Sequence, residues 1–111
     1  MALPHAASGE ITRLQPLGEQ LTETVSAALF KAAQLEVVRL VLPSGQGMRE
    51  HRVQGEITLQ CLEGALDLTV HGNTRRMRPG DLMYVAAGEP HALHAVQDCS
   101  VLLTICLLPT A

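Results

Sequence analysis

The sequence predicts an all-β domain, built as a sandwich or barrel of short antiparallel strands. From residue 35 onward, short apolar or alternating stretches are separated by Gly, Pro and Asn turn signals about every 8–12 residues. No helical stretch between them has the length that a crossover between parallel strands requires. The 111 residues, 47% of them hydrophobic and 17% charged, suit a single folded domain with one core.

The N-terminal part has a weaker pattern. Residues 1–15 show no sustained period and indicate a loose arm that could pair with a neighbouring molecule. Leu17, Leu21, Val25 and Ala28 recur every three or four residues, which favours a short helix, although residues 26–31 could equally form a strand. We expect a helical turn, then a strand entering near Ala27. The division predicted is an arm, residues 1–25, followed by a barrel domain, residues 26–111.

The remaining strands follow from periodicity and turn chemistry. Residues 35–42 carry apolar groups on both faces, so this strand is predicted to be covered on both sides. Turn signals are clustered at residues 43–47, 63–64, 71–73, 79–81 and 88–90. Between the turns, strands are predicted at residues 57–62, 65–70, 74–78, 82–85, 91–96 and 101–108.

Composition excludes several classes of partner. A formal charge of -3 and only two aromatic residues, Phe30 and Tyr84, argue against nucleic acid. The longest apolar run, residues 35–42, is too short to span a bilayer, and no signal peptide is recognisable at the N-terminus. Three cysteines without CxxC spacing indicate free thiols in a reducing compartment. We therefore expect a cytoplasmic protein with no nucleic-acid or membrane partner.

Two segments carry a resemblance to a known family. Gly45 is followed by five residues and His51, and that segment closes at Gly64; Gly80, Gly88 and His91 are spaced as in a second motif. This pairing resembles the two motifs of small single-domain cupins, of the conserved-barrel type in the RmlC-like superfamily. The resemblance spans about residues 35–108. It implies a double-stranded β-helix jelly-roll barrel.

The metal-binding positions of that family are depleted in this chain. The usual second His of the first motif is Val53, and the usual Glu falls on Ile57. His51 and His91 are left as the two matched ligand positions. Glu56 lies one residue off and would face the opposite side of a regular strand, unless a bulge at Gly55 turned it inward. Because stable sites take three or four protein ligands, we expect a divalent metal (Fe, Mn, Ni or Zn) to be weakly held or absent.

Strand alternation and the resemblance together predict the barrel interior. Its expected lining residues are His51, Val53, Ile57, Leu59, Cys61, His91 and Leu93, together with Met48 or Tyr84. Cys61 is expected to be plain packing, and His94 to point away from the interior. A narrow, mainly apolar cavity with few polar groups has the usual character of a small-molecule site.

Three functional hypotheses follow from this prediction. The first is a small-molecule-binding cupin that holds its ligand in the barrel. The alternative is a metal-dependent enzyme of dioxygenase or isomerase type, using His51 and His91. The third is a structural or oligomer-forming role. The apolar strand at residues 35–42 and the run at 101–108 carry more hydrophobic surface than one barrel can cover, so a homodimer is expected. Catalytic residues are not identifiable from the sequence.

Overall fold

Nine β-strands in two antiparallel sheets form the domain in the computed structural model, which describes residues 5–107. The strands are Ala27–Lys31 (β1), Leu35–Leu42 (β2), Gly47–His51 (β3), Ile57–Glu63 (β4), Leu66–Val70 (β5), Asn73–Met77 (β6), Leu82–Val85 (β7), His91–Ala95 (β8) and Cys99–Cys106 (β9). One sheet has the order β1-β2-β9-β4-β7 and the other β3-β8-β5-β6. The all-β jelly-roll prediction is confirmed.

The core lies between the two sheets and follows from the two-residue period of the strands. In β4 the residues that face it are Ile57, Leu59 and Cys61, and in β5 they are Leu66 and Leu68. Each of these side chains is almost completely removed from water. Burial on this scale is the main term that stabilises a domain of this size.

The chain before β1 covers the outer face of β2. The predicted helical turn is a 3-10 helix, Gly18–Glu23, and its Leu21 is buried. On β2, Val37, Arg39 and Val41 point away from the core yet are also buried. The strand is thus covered on both sides, as its sequence predicts, although part of the cover comes from the chain's own N-terminal segment. In residues 5–107 no helix is long and apolar enough to cross a membrane.

A partly buried carboxylate fastens this segment to the barrel. The Glu63 carboxylate accepts hydrogen bonds from two backbone N–H groups of the segment, from a serine hydroxyl and from a guanidinium. These donors are Leu17 N at 2.9 Å, Gly18 N at 3.1 Å, Ser100 Oγ at 2.7 Å and Arg39 Nη2 at 3.2 Å. Arg39 also donates to the Gln15 carbonyl at 2.8 Å. We refer to this group of contacts as the Glu63 anchor.

The anchor shifts the ionisation of its carboxyl group. Burial by itself would raise the pKa of Glu63, but the hydrogen bonds from Leu17, Ser100 and Gly18 and the charge of Arg39 outweigh that effect. The pKa of Glu63 therefore lies below its ordinary value. A carboxylate held in this way stabilises the folded state at every pH at which it is ionised.

Strand β3 was not predicted from the sequence, which indicated only a turn at residues 43–47. It is an edge strand with mostly exposed side chains, so apolar alternation gives little signal. Gly47 allows its pairing with β8, because a Cβ at this position would lie 2.1 Å from the Leu93 carbonyl oxygen. The close approach of the two backbones thus depends on glycine.

Candidate functional site

A small cavity lies between the sheets, at the end of the barrel where β3 ends and β8 begins. Its volume is about 30 Å³, room for one or two water molecules. Its walls are Leu40, Met48, His51, Val53, Ile57, Leu59, His91, Leu93, Leu103 and Ile105. We call it the histidine cavity, because its two imidazoles are the only polar side chains among these lining residues.

A β-bulge brings Met48 and His51 into the same cavity. Met48 pairs with Leu93, and His51 pairs with His91, so three residue steps along β3 oppose two along β8. In a regular strand, residues three apart face opposite sides. The extra residue in β3 corrects the alternation and turns both side chains inward. The sequence analysis considered a bulge only at Gly55.

The two imidazoles lie against each other and are each oriented by a backbone carbonyl. Their ring centroids are 4.4 Å apart, with planes inclined at 58°. His51 Nδ1 donates to the Arg49 carbonyl at 2.9 Å, and His91 Nδ1 donates to the Glu89 carbonyl at 3.1 Å. A carbonyl oxygen can only accept, so Nδ1 carries the hydrogen in each ring. In the neutral rings, both Nε2 atoms then hold the free lone pairs.

Glu56 and Tyr84 lie outside the cavity. The Tyr84 hydroxyl donates to Glu56 Oε2 at 2.8 Å, and 59% of Tyr84 is exposed. The carboxylate raises the pKa of the Tyr84 hydroxyl through this hydrogen bond. Of the two alternatives expected from the sequence, Met48 lines the cavity, and Tyr84 does not, since its parity in β7 places it on the outer face of the sheet. The bulge considered at Gly55 does not bring Glu56 inward.

Cys61 faces the core, but it does not line the cavity. It is completely buried, and its Sγ lies 3.6 Å from both the Glu63 and Gly64 carbonyl oxygens. Burial raises the pKa of its thiol, which disfavours the reactive thiolate. It lies on β4, away from the two histidines, and contributes to the packing of the core. His94 is exposed, on the opposite side of β8 from His91.

Three cavity residues were missed by the sequence analysis, namely Leu40, Leu103 and Ile105. They belong to β2 and β9, which pair along their whole length. The strand β2 is apolar on both faces, so alternation could not show which of its side chains face inward. In β9, Ser100 and Thr104 mark the outer face, so alternation there could have placed Leu103 and Ile105 inside. The sequence also indicated that both strands belong to the same barrel, but it did not give the register in which they pair.

The family of the chain follows from a match that includes both histidines. Residues 38–106 match a protein family described as the cupin domain. The chain belongs to the cupin family. The match covers strands β3 to β9 completely, together with most of β2. The resemblance stated from the two glycine-rich motifs is therefore confirmed.

Solved structures with the same fold include proteins of several descriptions. A conserved protein of unknown function from Streptococcus pyogenes has a TM-score of 0.75 at 24% identity, covering 99% of this chain and 100% of that one. An RmlC-like cupin from Desulfovibrio desulfuricans has a TM-score of 0.69 at 23% identity, covering 92% and 97%. A salicylate 1,2-dioxygenase mutant from Pseudoaminobacter salicylatoxidans has a TM-score of 0.65 at 20% identity, covering 72% and 26%. At these identities the likeness shows the fold alone. No curated protein matches the sequence.

The donor set of this cupin does not fit a divalent metal centre. Within the described part of the chain, no group of three or more His, Cys, Asp or Glu side chains is placed to hold a metal ion. His51 and His91 supply two nitrogens, and Glu56, the carboxylate one residue off the ligand position of the family, is directed to Tyr84. Zinc sites in proteins use at least three such ligands, and iron or manganese also favours carboxylates. Two imidazoles alone leave such an ion short of ligands.

Proposed function

We propose that this cupin binds a very small ligand in the histidine cavity, and that His51 and His91 supply its polar contacts. One observation carries the proposal. Two imidazoles from distant parts of the chain meet in one apolar cavity, each with Nδ1 engaged by a backbone carbonyl and Nε2 left for a ligand. The apolar walls would exclude competing water, which strengthens polar contacts made there.

The size of the cavity limits the ligand. At about 30 Å³ it is roughly a tenth of the smallest typical pocket for a drug-sized molecule, so a ligand of a few non-hydrogen atoms, or a single ion, is the best fit. The surrounding loops are joined to each other. Gly88 N donates to the Val53 carbonyl at 2.9 Å, and Glu89 Oε1 lies 2.9 Å from His71 Nε2. These contacts hold the loops beside the cavity together.

Nuclear magnetic resonance of the imidazole nitrogens tests the proposal. Ammonium, formate, azide and thiocyanate would each be titrated to millimolar concentration while the ring signals of all histidines are followed. We expect at least one probe to shift the signals of His51 and His91 together, with saturation. The exposed His94, on the same strand as His91, is the internal control, and its signals should not shift with those of the other two rings.

A matched pair of variants completes this test. His51→Gln should abolish the saturable response of His91, whereas His94→Gln should leave it intact. If none of the probes moves the two rings, or if His94 responds with the same profile, binding in the cavity is wrong and a structural role is favoured.

A metal-dependent oxygenase or isomerase remains the alternative. It has less support, because the two imidazoles lack the further N or O ligands that such ions use. Elemental analysis of protein purified without chelators distinguishes the two functions. Stoichiometric Fe, Mn, Ni or Zn would favour the enzyme.

The predicted homodimer and cytoplasmic location stay predictions. The N-terminal segment covers the outer face of β2, so part of the apolar surface from which the dimer was predicted is covered within the chain itself. The outer face of β7 keeps exposed apolar side chains, with Leu82 at 65% exposure and Tyr84 beside it. Sedimentation at micromolar concentration is the measurement, and a purely monomeric profile would contradict the dimer.

A further inference from the structure

We infer that an open pocket on the outer face of the five-stranded sheet binds an organic cation, a primary alkylammonium ion. The pocket has a volume of about 240 Å³ and lies where β2 and β4 begin and β7 and β9 end. We call it the Glu56 pocket. The residues that carry the argument are Leu35, Glu56, Thr58, Tyr84, Thr104 and Cys106, all of which line it.

The Glu56 pocket is separate from the histidine cavity. The cavity lies between the two sheets, whereas the pocket lies on the outside of one of them. Among their described lining residues the two share only Ile57, whose side chain faces the core. The inference therefore goes beyond the proposed function and does not depend on it.

Strand register sets the floor of the pocket. Thr104 in β9 pairs with Thr58 in β4, and Thr58 pairs with Tyr84 in β7, so the three side chains form one row across the outer face. Cys106, two residues beyond Thr104, faces the same side of β9. Sites carried by strands are held more precisely than sites on loops, and this row belongs to three adjacent strands of one sheet.

Both the backbone and the side chain of Glu56 are held in position. Gly55 lets the chain before β4 approach β9 closely, since a Cβ there would collide with the Cys106 carbonyl oxygen. Cys106 N donates to the Glu56 carbonyl at 2.9 Å. The Tyr84 hydroxyl donates to Oε2 of the carboxylate at 2.8 Å, which fixes the direction of the side chain. The carboxylate and the tyrosine thus stand together in the pocket before any ligand enters.

The charge of the pocket favours a cation. Glu56 carries the only formal charge among the described residues that line it, and no lysine or arginine is among them. Tyr84 occupies Oε2 of the carboxylate, whereas Oε1 accepts no hydrogen bond within residues 5–107. An anion would be repelled here. Divalent metal ions take several oxygen ligands, of which a single carboxylate supplies too few, so a singly charged ion is the better match.

The other side chains favour an ammonium group on an alkyl chain. An aromatic ring attracts cations to its face, and 59% of Tyr84 is exposed. An ammonium group has three N–H donors, and the hydroxyl oxygens of Thr58 and Thr104 can accept from it. Leu35 is 38% exposed and offers apolar contact to carbon atoms. Since the volume is below that of pockets for drug-sized molecules, a chain of a few carbon atoms fits best.

Fluorescence of Tyr84 measures this binding, because the chain has one tyrosine and no tryptophan. Three probes of similar size but different charge would be titrated at constant ionic strength: n-butylammonium, 1-butanol and butanoate. We expect a saturable change with n-butylammonium alone, and added salt should weaken it because the charges are exposed. A second readout is the thiol of Cys106, which is exposed and lines the pocket. Saturating n-butylammonium should slow its alkylation by iodoacetamide.

Glu56→Gln keeps the shape of the side chain and removes its charge. It should weaken the binding of n-butylammonium about threefold to fivefold, the effect expected of an exposed ion pair. The matched control is Glu50→Gln, which removes an exposed carboxylate from β3 in the other sheet and should bind like the parent. Both variants should keep the parent's circular dichroism spectrum.

Three results would overturn the inference. They are a similar response to all three probes, no saturable response to n-butylammonium, and equal affinity of the parent and Glu56→Gln. Alkylation of Cys106 at an unchanged rate under saturating n-butylammonium would also contradict it. None of these results bears on the imidazole signals, so the proposed function is tested independently.

Discussion

Replacing Glu63 by Gln should release the N-terminal segment from the barrel. The carboxylate accepts four donors, and two of them, the backbone N–H groups of Leu17 and Gly18, belong to that segment. A glutamine keeps the shape of the side chain but has one acceptor oxygen and no charge. Its NH₂ group would face the hydrogen-bond donors of the anchor, and Arg39 would lose its negatively charged partner.

The magnitude follows from the burial of the ion pair. Removing one partner of a buried pair typically costs about 3–5 kcal/mol, because the other charge is left uncompensated. The side chains of Arg39 and Glu63 keep 11% and 15% exposure, so some hydration remains and the lower end applies. We expect a loss of about 3 kcal/mol in the free energy of unfolding. At about 4 °C per kcal/mol for a domain of this size, Tm should fall by about 12 °C.

The same contact predicts a pH dependence with a definite sign. The folded state holds the pKa of Glu63 below the ordinary value of 4.5. Its contribution to stability is therefore complete above that value and is lost as the pH falls through the lower pKa of the folded state. The wild type should lose this increment on acidification, and Glu63→Gln, which has no carboxyl group to titrate, should not.

Urea unfolding followed by circular dichroism gives the free energy of unfolding, and hydrogen exchange of the Leu17 and Gly18 amides reports on the segment itself. The control is Asp67→Asn, which breaks the exposed ion pair with Arg76 and should leave stability close to that of the wild type. A loss below about 1 kcal/mol for Glu63→Gln, or unchanged protection of the two amides, would refute the role assigned to the anchor.

Two further predictions concern the backbone and the thiols. Gly64→Ala should prevent stable folding, because φ is +76° and a Cβ would lie 2.0 Å from a backbone oxygen of the β8–β9 turn. Gly72 has a similar φ, but a Cβ there would meet open space. Gly72→Ala should therefore lower the free energy of unfolding by only about 1–2 kcal/mol, which thermal denaturation can measure. Burial raises the pKa of Cys61, and that of Cys99 to about 11, whereas Cys106 is exposed. Titration with Ellman's reagent at pH 8 should thus find one reactive thiol in the native protein and three in denaturant; rapid reaction of all three in the native state would contradict this.

The pattern of the sequence was sufficient for the fold because its signals are local. Alternation in residues 57–62 and the turn glycines at Gly64, Gly80 and Gly88 depend on neighbours in the chain, and they place most strand boundaries within a few residues. The two cupin motifs then identify which histidines belong to one barrel end. Even the doubly covered β2 could be predicted, since both of its faces are apolar.

Only the tertiary structure decided the composition of the site. Whether Met48 or Tyr84 faces inward depends on strand register and on a bulge defined by the partner strand β8, which no local pattern encodes. Residues of β2 and β9 enter the cavity wall because those strands pair with each other across the length of the chain. Local sequence determined the strands of this cupin, except the edge strand β3. Pairing between distant segments determined which side chains meet, because an offset of one residue reverses every face.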